Sequence, residues 1–374
     1  MQYSIDDLVR LAKRDNNNIR PYLYVNPIQG KHIPTDPEDT MMMCRTLANM
    51  VKAAYPSDRL FVIGFAETAT GIAAGVCHYL DNVVYYQNTT REQADNEEYL
   101  YFTESHSHAT DQMLRTNSID HCFENVDRII FIDDEVTTGN TICKLVDRLE
   151  DKCGISKIKY SIASILNSMT NFRVNQLEDK GIECLFISDL PFEYKKNSIM
   201  DISYEKDRDT LCKADEMENV DCVEFDTKAN VRSTIFFYEY ESEINRFVSK
   251  IEKIIGYEHY GRLLVLGTEE CMYPAIRLGE ILKKDGVAEA VKVHATTRSP
   301  IIASCEDGYP LNHRYQIRSV YDKERDTYVY NLKKYDKVIV VSDTSIVAEG
   351  MNDLLVALRS VGNKNILVSR WSYF

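Results

Sequence analysis

Three short segments of this chain recur, in the same order and at nearly the same spacing, in its second half. Arg59-Leu60-Phe61-Val62-Ile63-Gly64-Phe65-Ala66-Glu67 is echoed by Arg262-Leu263-Leu264-Val265-Leu266-Gly267-Thr268-Glu269-Glu270, at an offset of 203. Thr89-Thr90-Arg91 returns as Thr296-Thr297-Arg298 at an offset of 207. Arg128-Ile129-Ile130-Phe131-Ile132-Asp133-Asp134 returns as Lys337-Val338-Ile339-Val340-Val341-Ser342-Asp343 at 209. One such match is unremarkable; three in order, with so little drift, read as an internal duplication. The 374 residues are therefore expected to form two copies of one fold, which length alone also allows. The stretch from Pro191 to about Asn230 has mixed charges and little periodicity, so the join is expected there, with domains at 1–225 and 226–374.

The repeated segments also give the fold class. Leu60 to Ile63, Ile129 to Ile132 and Val338 to Val341 are apolar runs that end in Gly- or Asp-containing turns and lead into helix-like stretches. Leu263 to Leu266 follows the amphipathic stretch Ile244 to Ile255 and ends at Gly267. This is how β-then-α units of a buried parallel sheet read, so each copy is expected to be α/β, a parallel sheet flanked by helices.

Composition limits the partners. Lysine plus arginine is 44 against 58 aspartate plus glutamate, a net charge of -14, which disfavours binding to nucleic acid or an anionic membrane surface. No apolar run approaches the roughly 18 residues of a spanning helix, and the opening Met1-Gln2-Tyr3-Ser4-Ile5-Asp6-Asp7 lacks the order of a signal peptide. The ten cysteines include no CxxC pair, which suggests neither a zinc site nor a disulfide framework but buried thiols in a reducing cytoplasm.

The segment Ile129 to Thr141 carries the most chemistry. An apolar strand delivers Asp133 and Asp134 to the carboxyl edge of the sheet, where open α/β sheets bind ligands. Thr137-Thr138-Gly139-Asn140-Thr141 then opens a helix whose Ile142, Leu145, Val146 and Leu149 share a face. Small residues at a helix start offer free N–H groups and the positive end of the helix dipole to a phosphate, while paired acids accept hydrogen bonds from vicinal hydroxyls. A group with both features is a ribose 5-phosphate.

At all thirteen positions the segment resembles the phosphoribosyl pyrophosphate (PRPP) signature of type I phosphoribosyltransferases. The resemblance implies that Asp133 and Asp134 hold the ribose hydroxyls, directly or through Mg²⁺, and that Thr137, Thr138, Gly139, Asn140 and Thr141 cradle the 5-phosphate. A PRPP enzyme must also hold pyrophosphate. The loop after the strand Leu60 to Ile63, with Glu67, Thr68, Ala69, Thr70 and Gly71, has the position and the small residues for it. Thr90 and Arg91 follow the β-rich run Val83 to Tyr86, and arginine suits bidentate phosphate contact. His106 and His108 lie where type I enzymes carry a loop that closes over PRPP, and are candidates to touch pyrophosphate or base.

Over nearly its full length the chain resembles the two-part phosphoribosyltransferase proteins of tellurite-resistance-type operons, whose C-terminal domain is named for a Thr-Arg-Ser-Pro motif. Here the motif is Thr297-Arg298-Ser299-Pro300, with an accompanying GxxE at Gly267 to Glu270. Gln29 to Pro34 and Glu104 to Thr110 also look like family segments. The resemblance implies a type I transferase domain followed by a related one, Mg²⁺ as cofactor, PRPP, pyrophosphate and a nucleobase-like acceptor as partners, a homodimer, and a nucleotide-like product; that the second domain is degenerate is read from its own residues. Tyr22, Tyr24, Lys31 and His32 are expected hood residues near the acceptor.

The second copy departs from the signature. Ser342 replaces the first acid, and Thr344 to Gly350, with Glu349, replaces the phosphate loop. A carboxylate there would repel phosphate. Glu270, Arg298, Ser299 and Asp343 would still converge at one end of the sheet, as a second small-molecule site or as a structural or dimer-forming element. Two other functions fit the signature, a PRPP-sensing regulator and a PRPP synthetase-like enzyme, the latter without a convincing ATP-binding segment.

Overall fold

In the computed structural model the residues described are 3–15, 20–102, 112–117, 119–154, 157–190, 202, 205–214, 220–344 and 348–373. The chain forms two compact units. The first comprises residues 1–3, 42–192 and 229–243, and the second 4–41, 193–228 and 244–374. The described residues 4–15, 20–41, 202, 205–214 and 220–228 group with the second unit.

Among the described residues the first unit has a sheet in the order Ile235–Phe236, Val83–Asn88, Leu60–Gly64, Arg128–Val136, Lys159–Asn167, Ile182–Asp189. All neighbours are parallel except the antiparallel pair made by Ile235–Phe236. Residues 129–132 and 60–63 are fully buried, because helices cover both faces of a parallel sheet and leave no polar side. Thr70–Cys77 packs on Leu60–Gly64, and Asn140–Cys153 buries Ile142, Leu145, Val146 and Leu149 in the core.

The second unit repeats this plan with one substitution. Its sheet runs Asp221–Thr227, Ile366–Tyr373, Lys337–Ser342, Tyr260–Gly267, Ala288–Ala295, all parallel. Four of these strands match the first unit in order and register: Leu60 lies opposite Arg128, and Leu263 opposite Lys337, as the offsets 203 and 209 require. The fifth place, taken in the first unit by the downstream strand Ile182–Asp189, is taken here by Asp221–Thr227 from upstream.

The amino-terminal residues add a hairpin, Arg10–Lys13 against Tyr22–Val25, to the second unit. Backbone bonds between Thr35 and Val293, at 3.0 and 2.8 Å, and the Lys283 ammonium against Asp36 and Glu38, both at 2.7 Å, fix this segment there. Tyr22, Tyr24, Lys31 and His32 belong to this segment and group with the second unit.

Candidate active site

The first unit's site grows from the strand Arg128–Val136, which is longer than its apolar run. Asp133, Asp134 and Glu135 are still strand residues but only half-buried, as the sheet edge opens to solvent. The Asp134 N–H donates to Asp133 Oδ1 at 2.9 Å. Burial, together with the charges of Asp134 and Glu135, pushes the Asp133 carboxyl well above the usual carboxylate range.

Gly139 follows at φ +66°, a left-handed conformation that costs glycine little, and Asn140 and Thr141 begin the helix Asn140–Cys153. A Cβ on Gly139 would also meet Leu177 Cδ1 at 3.0 Å. Thr137, Thr138 and Asn140 are exposed, so the first-turn N–H groups of the helix face an accessible loop. One residue absent from the sequence reading completes it. Arg173, on the helix Asn171–Asp179, donates Nε to the Thr138 carbonyl at 2.7 Å and Nη2 to Asn140 Oδ1 at 2.9 Å. It holds the loop's outer side and adds a cation beside it.

The loop after Leu60–Gly64 lies against the same strand end. The Phe65 N–H donates to the Ile132 carbonyl at 2.9 Å, and the Thr68 hydroxyl to Asp134 Oδ1 at 2.7 Å. Glu67 and Thr70 are buried, and the Ala66–Glu67 peptide is cis. Thr89 ties this loop to the next strand: its N–H donates to the Gly64 carbonyl at 2.9 Å and its hydroxyl accepts from the Ala66 N–H at 2.8 Å. Thr90 pairs with Met113, and the half-buried Arg91 follows. The structure thus brings Asp133, Asp134, the 137–141 loop, the 67–71 loop and the Thr90-Arg91 turn to one end of one sheet. His106 and His108 lie outside the described residues.

Two adjacent carboxylates at a strand end are a donor set that a hard divalent cation accepts when substrate phosphates and water complete its shell. Among the described residues no group of three or more His, Cys, Asp or Glu could hold a metal by itself.

The second unit reproduces the framework bond for bond. Thr268 N–H donates to the Val341 carbonyl at 3.1 Å, Thr296 N–H to the Gly267 carbonyl at 3.0 Å, and Glu269 N–H to the Thr296 hydroxyl at 2.9 Å. Thr297 pairs with Tyr328 as Thr90 does with Met113. The side chains differ. Arg298 Nε donates to Glu269 Oε2 at 2.7 Å and lies 3.6 Å from Glu270. Asp343 accepts from the Tyr321 and Tyr373 hydroxyls. Ser299 is half-buried, and its carbonyl accepts from the Tyr330 hydroxyl at 2.7 Å.

Comparison with known proteins gives a consistent assignment. Residues 8–188 match the family model described as phosphoribosyl transferase, and residues 238–358 match the TRSP domain that is C-terminal to that family. No curated protein matches the chain. Among solved structures, adenine phosphoribosyltransferase from Trypanosoma brucei, in complex with AMP, pyrophosphate and ribose-5-phosphate, is 15% identical; the match covers 53% of this chain and 83% of that one, with a TM-score of 0.37. The adenine enzyme of Leishmania tarentolae is 13% identical over 53% of this chain and 90% of that one, TM-score 0.34. Orotate phosphoribosyltransferase from Aeropyrum pernix is 17% identical over 41% and 73%, TM-score 0.27. With both family models matched in sequence order, the chain is a phosphoribosyl transferase-family domain over residues 8–188 followed by a C-terminal TRSP domain over residues 238–358.

Proposed function

We propose that the first unit transfers ribose 5-phosphate from PRPP to a nitrogen of a nucleobase-like acceptor, releasing pyrophosphate, with Mg²⁺ as cofactor. The observation that carries this reading is the Thr68 to Asp134 bond at 2.7 Å, which couples a small-residue loop suited to diphosphate to the acid pair suited to a ribose diol. The 137–141 loop, held by Arg173, takes the 5-phosphate on backbone N–H groups and the helix N-terminus.

In the reaction the C1–O bond to pyrophosphate breaks as the acceptor nitrogen attacks C1, and positive charge grows on the ribose while negative charge grows on the leaving group. Asp133 and Asp134 bind the 2- and 3-hydroxyls and stabilise the developing oxocarbenium ion. Arg91 and the N–H groups of the 67–71 loop stabilise the departing pyrophosphate. Bound with the diphosphate, Mg²⁺ would neutralise part of its charge. The product is a nucleotide-like ribose 5-phosphate adduct, in keeping with the operon context that the family resemblance implies.

The test is to incubate the protein with PRPP, Mg²⁺ and a panel of bases and to follow pyrophosphate release. Base-dependent release is expected. PRPP binding without turnover would favour a sensor instead, and AMP formation from ATP and ribose 5-phosphate a synthetase.

A further inference from the structure

The second unit contains a buried ionic cluster that the chemistry of the first unit does not use. We propose that the Glu269 carboxylate is a built-in counter-anion, which holds Arg298 and Arg325 where a bound diphosphate would otherwise be required, so that the second unit is closed on itself without a ligand. The matched backbone bonds put Glu269 in the loop position of Ala66, within the loop read in the first unit as the diphosphate loop; the proposal takes only that correspondence from the reading above.

Glu269 is fully buried and both its oxygens are engaged. Oε1 accepts from the Ser319 hydroxyl, and Oε2 from Arg298 Nε at 2.7 Å and Arg325 Nη2 at 2.9 Å. Its carbonyl accepts from the buried Lys31 ammonium at 2.6 Å. Its backbone has φ +44°, a region that non-glycine residues occupy at a cost and keep where surrounding contacts fix them. A diphosphate entering here would meet a buried carboxylate, and the two guanidinium groups it needs are already ion-paired, both with Glu269 and Arg298 also with Glu270 at 3.6 Å.

Two further observations point the same way. Ser319, Tyr321 and Arg325 come from the 319–325 loop between the strands Arg314–Arg318 and Asp326–Tyr330. By the Thr90–Met113 and Thr297–Tyr328 pairings, that loop enters the counterpart of the first unit's strand Met113–Arg115. It is seated on Gly350, where a Cβ would come within 2.2 Å of the Ser319 carbonyl; at the offset of 209, the first copy has Thr141 of the phosphate loop there. The surviving ribose acid is also satisfied internally, since Asp343 takes the hydroxyls of Tyr321 and Tyr373.

The test counts inorganic pyrophosphate bound per full-length chain, by calorimetry with Mg²⁺ present, for wild type, Glu269→Gln and Glu269→Gln with Arg298→Met. Glu269→Gln should gain one bound pyrophosphate over wild type, and the double variant should lose it. A folded Glu269→Gln with no gain overturns the proposal. A wild type that binds none would sink the reading of the first unit and leave this increment intact. Should Glu269→Gln fail to fold, thermal denaturation decides. Arg298→Met, by leaving the buried carboxylate with Arg325 as its one remaining guanidinium partner, should lower Tm by on the order of 5 °C. Pairing it with Glu269→Asn or Glu269→Ala should cost less than the two single losses together, and strictly additive losses would overturn the proposal.

Discussion

Gly64 and Gly267 end equivalent strands, accept equivalent bonds from Thr89 and Thr296, and lead into loops that share a buried glutamate, Glu67 and Glu270, but differ just before it, with Ala66 against Glu269. In the first unit the loop carries Ala66 and Thr68 beside two half-buried acids, and the phosphate loop is exposed. In the second it carries Glu269 and Glu270, and Arg298, Arg325, Tyr321 and Tyr373 occupy the acids. The comparison teaches that the frame and the chemistry are separable. A handful of backbone bonds, set by glycine and threonine at strand ends, reproduces the architecture, while a few side chains make the sheet edge different in the two units, and on the proposals above these side chains set which edge takes an anionic ligand.

The largest effect should come from the acids that differ between the units. Asp133→Asn with Asp134→Asn is predicted to lower the rate of pyrophosphate release by about 10³-fold or more, as loss of groups that act in the transition state does, with the far-ultraviolet circular dichroism unchanged. Asp343→Asn, its counterpart, should leave the rate within about threefold of wild type. An equal loss from both would erase the distinction between the units.

Acid should separate the units next. Burial holds the second unit's His294 down at about 4, against hydrogen bonds to the Tyr330 and Gly30 carbonyls that favour its proton, and Lys31 adds to the lowering. It is therefore neutral in the fold. The unfolded chain takes up a proton below pH 6.5, so this contribution is fully present above 6.5 and is lost as pH falls toward 4, by about 3 kcal/mol in all. The first unit's described histidines, His78 and His121, are not buried. Urea unfolding at pH 7.5 and 5 should show the second unit weakening first, and His294→Gln should flatten that dependence.

Gly350→Ala is expected to cost about 2 kcal/mol, because its methyl would press on the Ser319 carbonyl. The loss should appear in the second unit's unfolding transition and leave the KM for PRPP unchanged. The smallest effect is expected from Arg173→Ala, with a KM for PRPP raised about tenfold and kcat little altered, since the arginine shapes the phosphate loop from behind. Arg173→Lys should recover only part of this, lacking the fork that spans Thr138 and Asn140.

Much of this was legible in the sequence, for reasons the structure makes plain. The repeated segments are central strands and the turns that follow them, where burial on both faces and close backbone approach restrict the residues allowed, so the duplication kept its letters. The acid pair and the 137–141 loop were legible because they are contiguous. The upstream edge strand Asp221–Thr227 was not: its place is fixed by pairing with Ile366–Tyr373, which leaves no local trace. Arg173 reaches Thr138 and Asn140 only through the fold. Lys31 is joined to the second unit only through the fold, by the Thr35–Val293 bonds and its own bond to the Glu269 carbonyl, neither of which leaves a local trace. In the second copy the GxxE pattern points to Glu270, and only the side-chain geometry shows that Glu269 takes most of the arginine bonds.

The asymmetry is tested most directly by equilibrium dialysis of labelled PRPP, with Mg²⁺, against wild type, the Asp133→Asn and Asp134→Asn double variant, and Asp343→Asn. One PRPP bound per chain, abolished or strongly weakened by the double variant and untouched by Asp343→Asn, is the predicted result. Two bound per chain, or binding that survives in the double variant and is lost with Asp343, would contradict it.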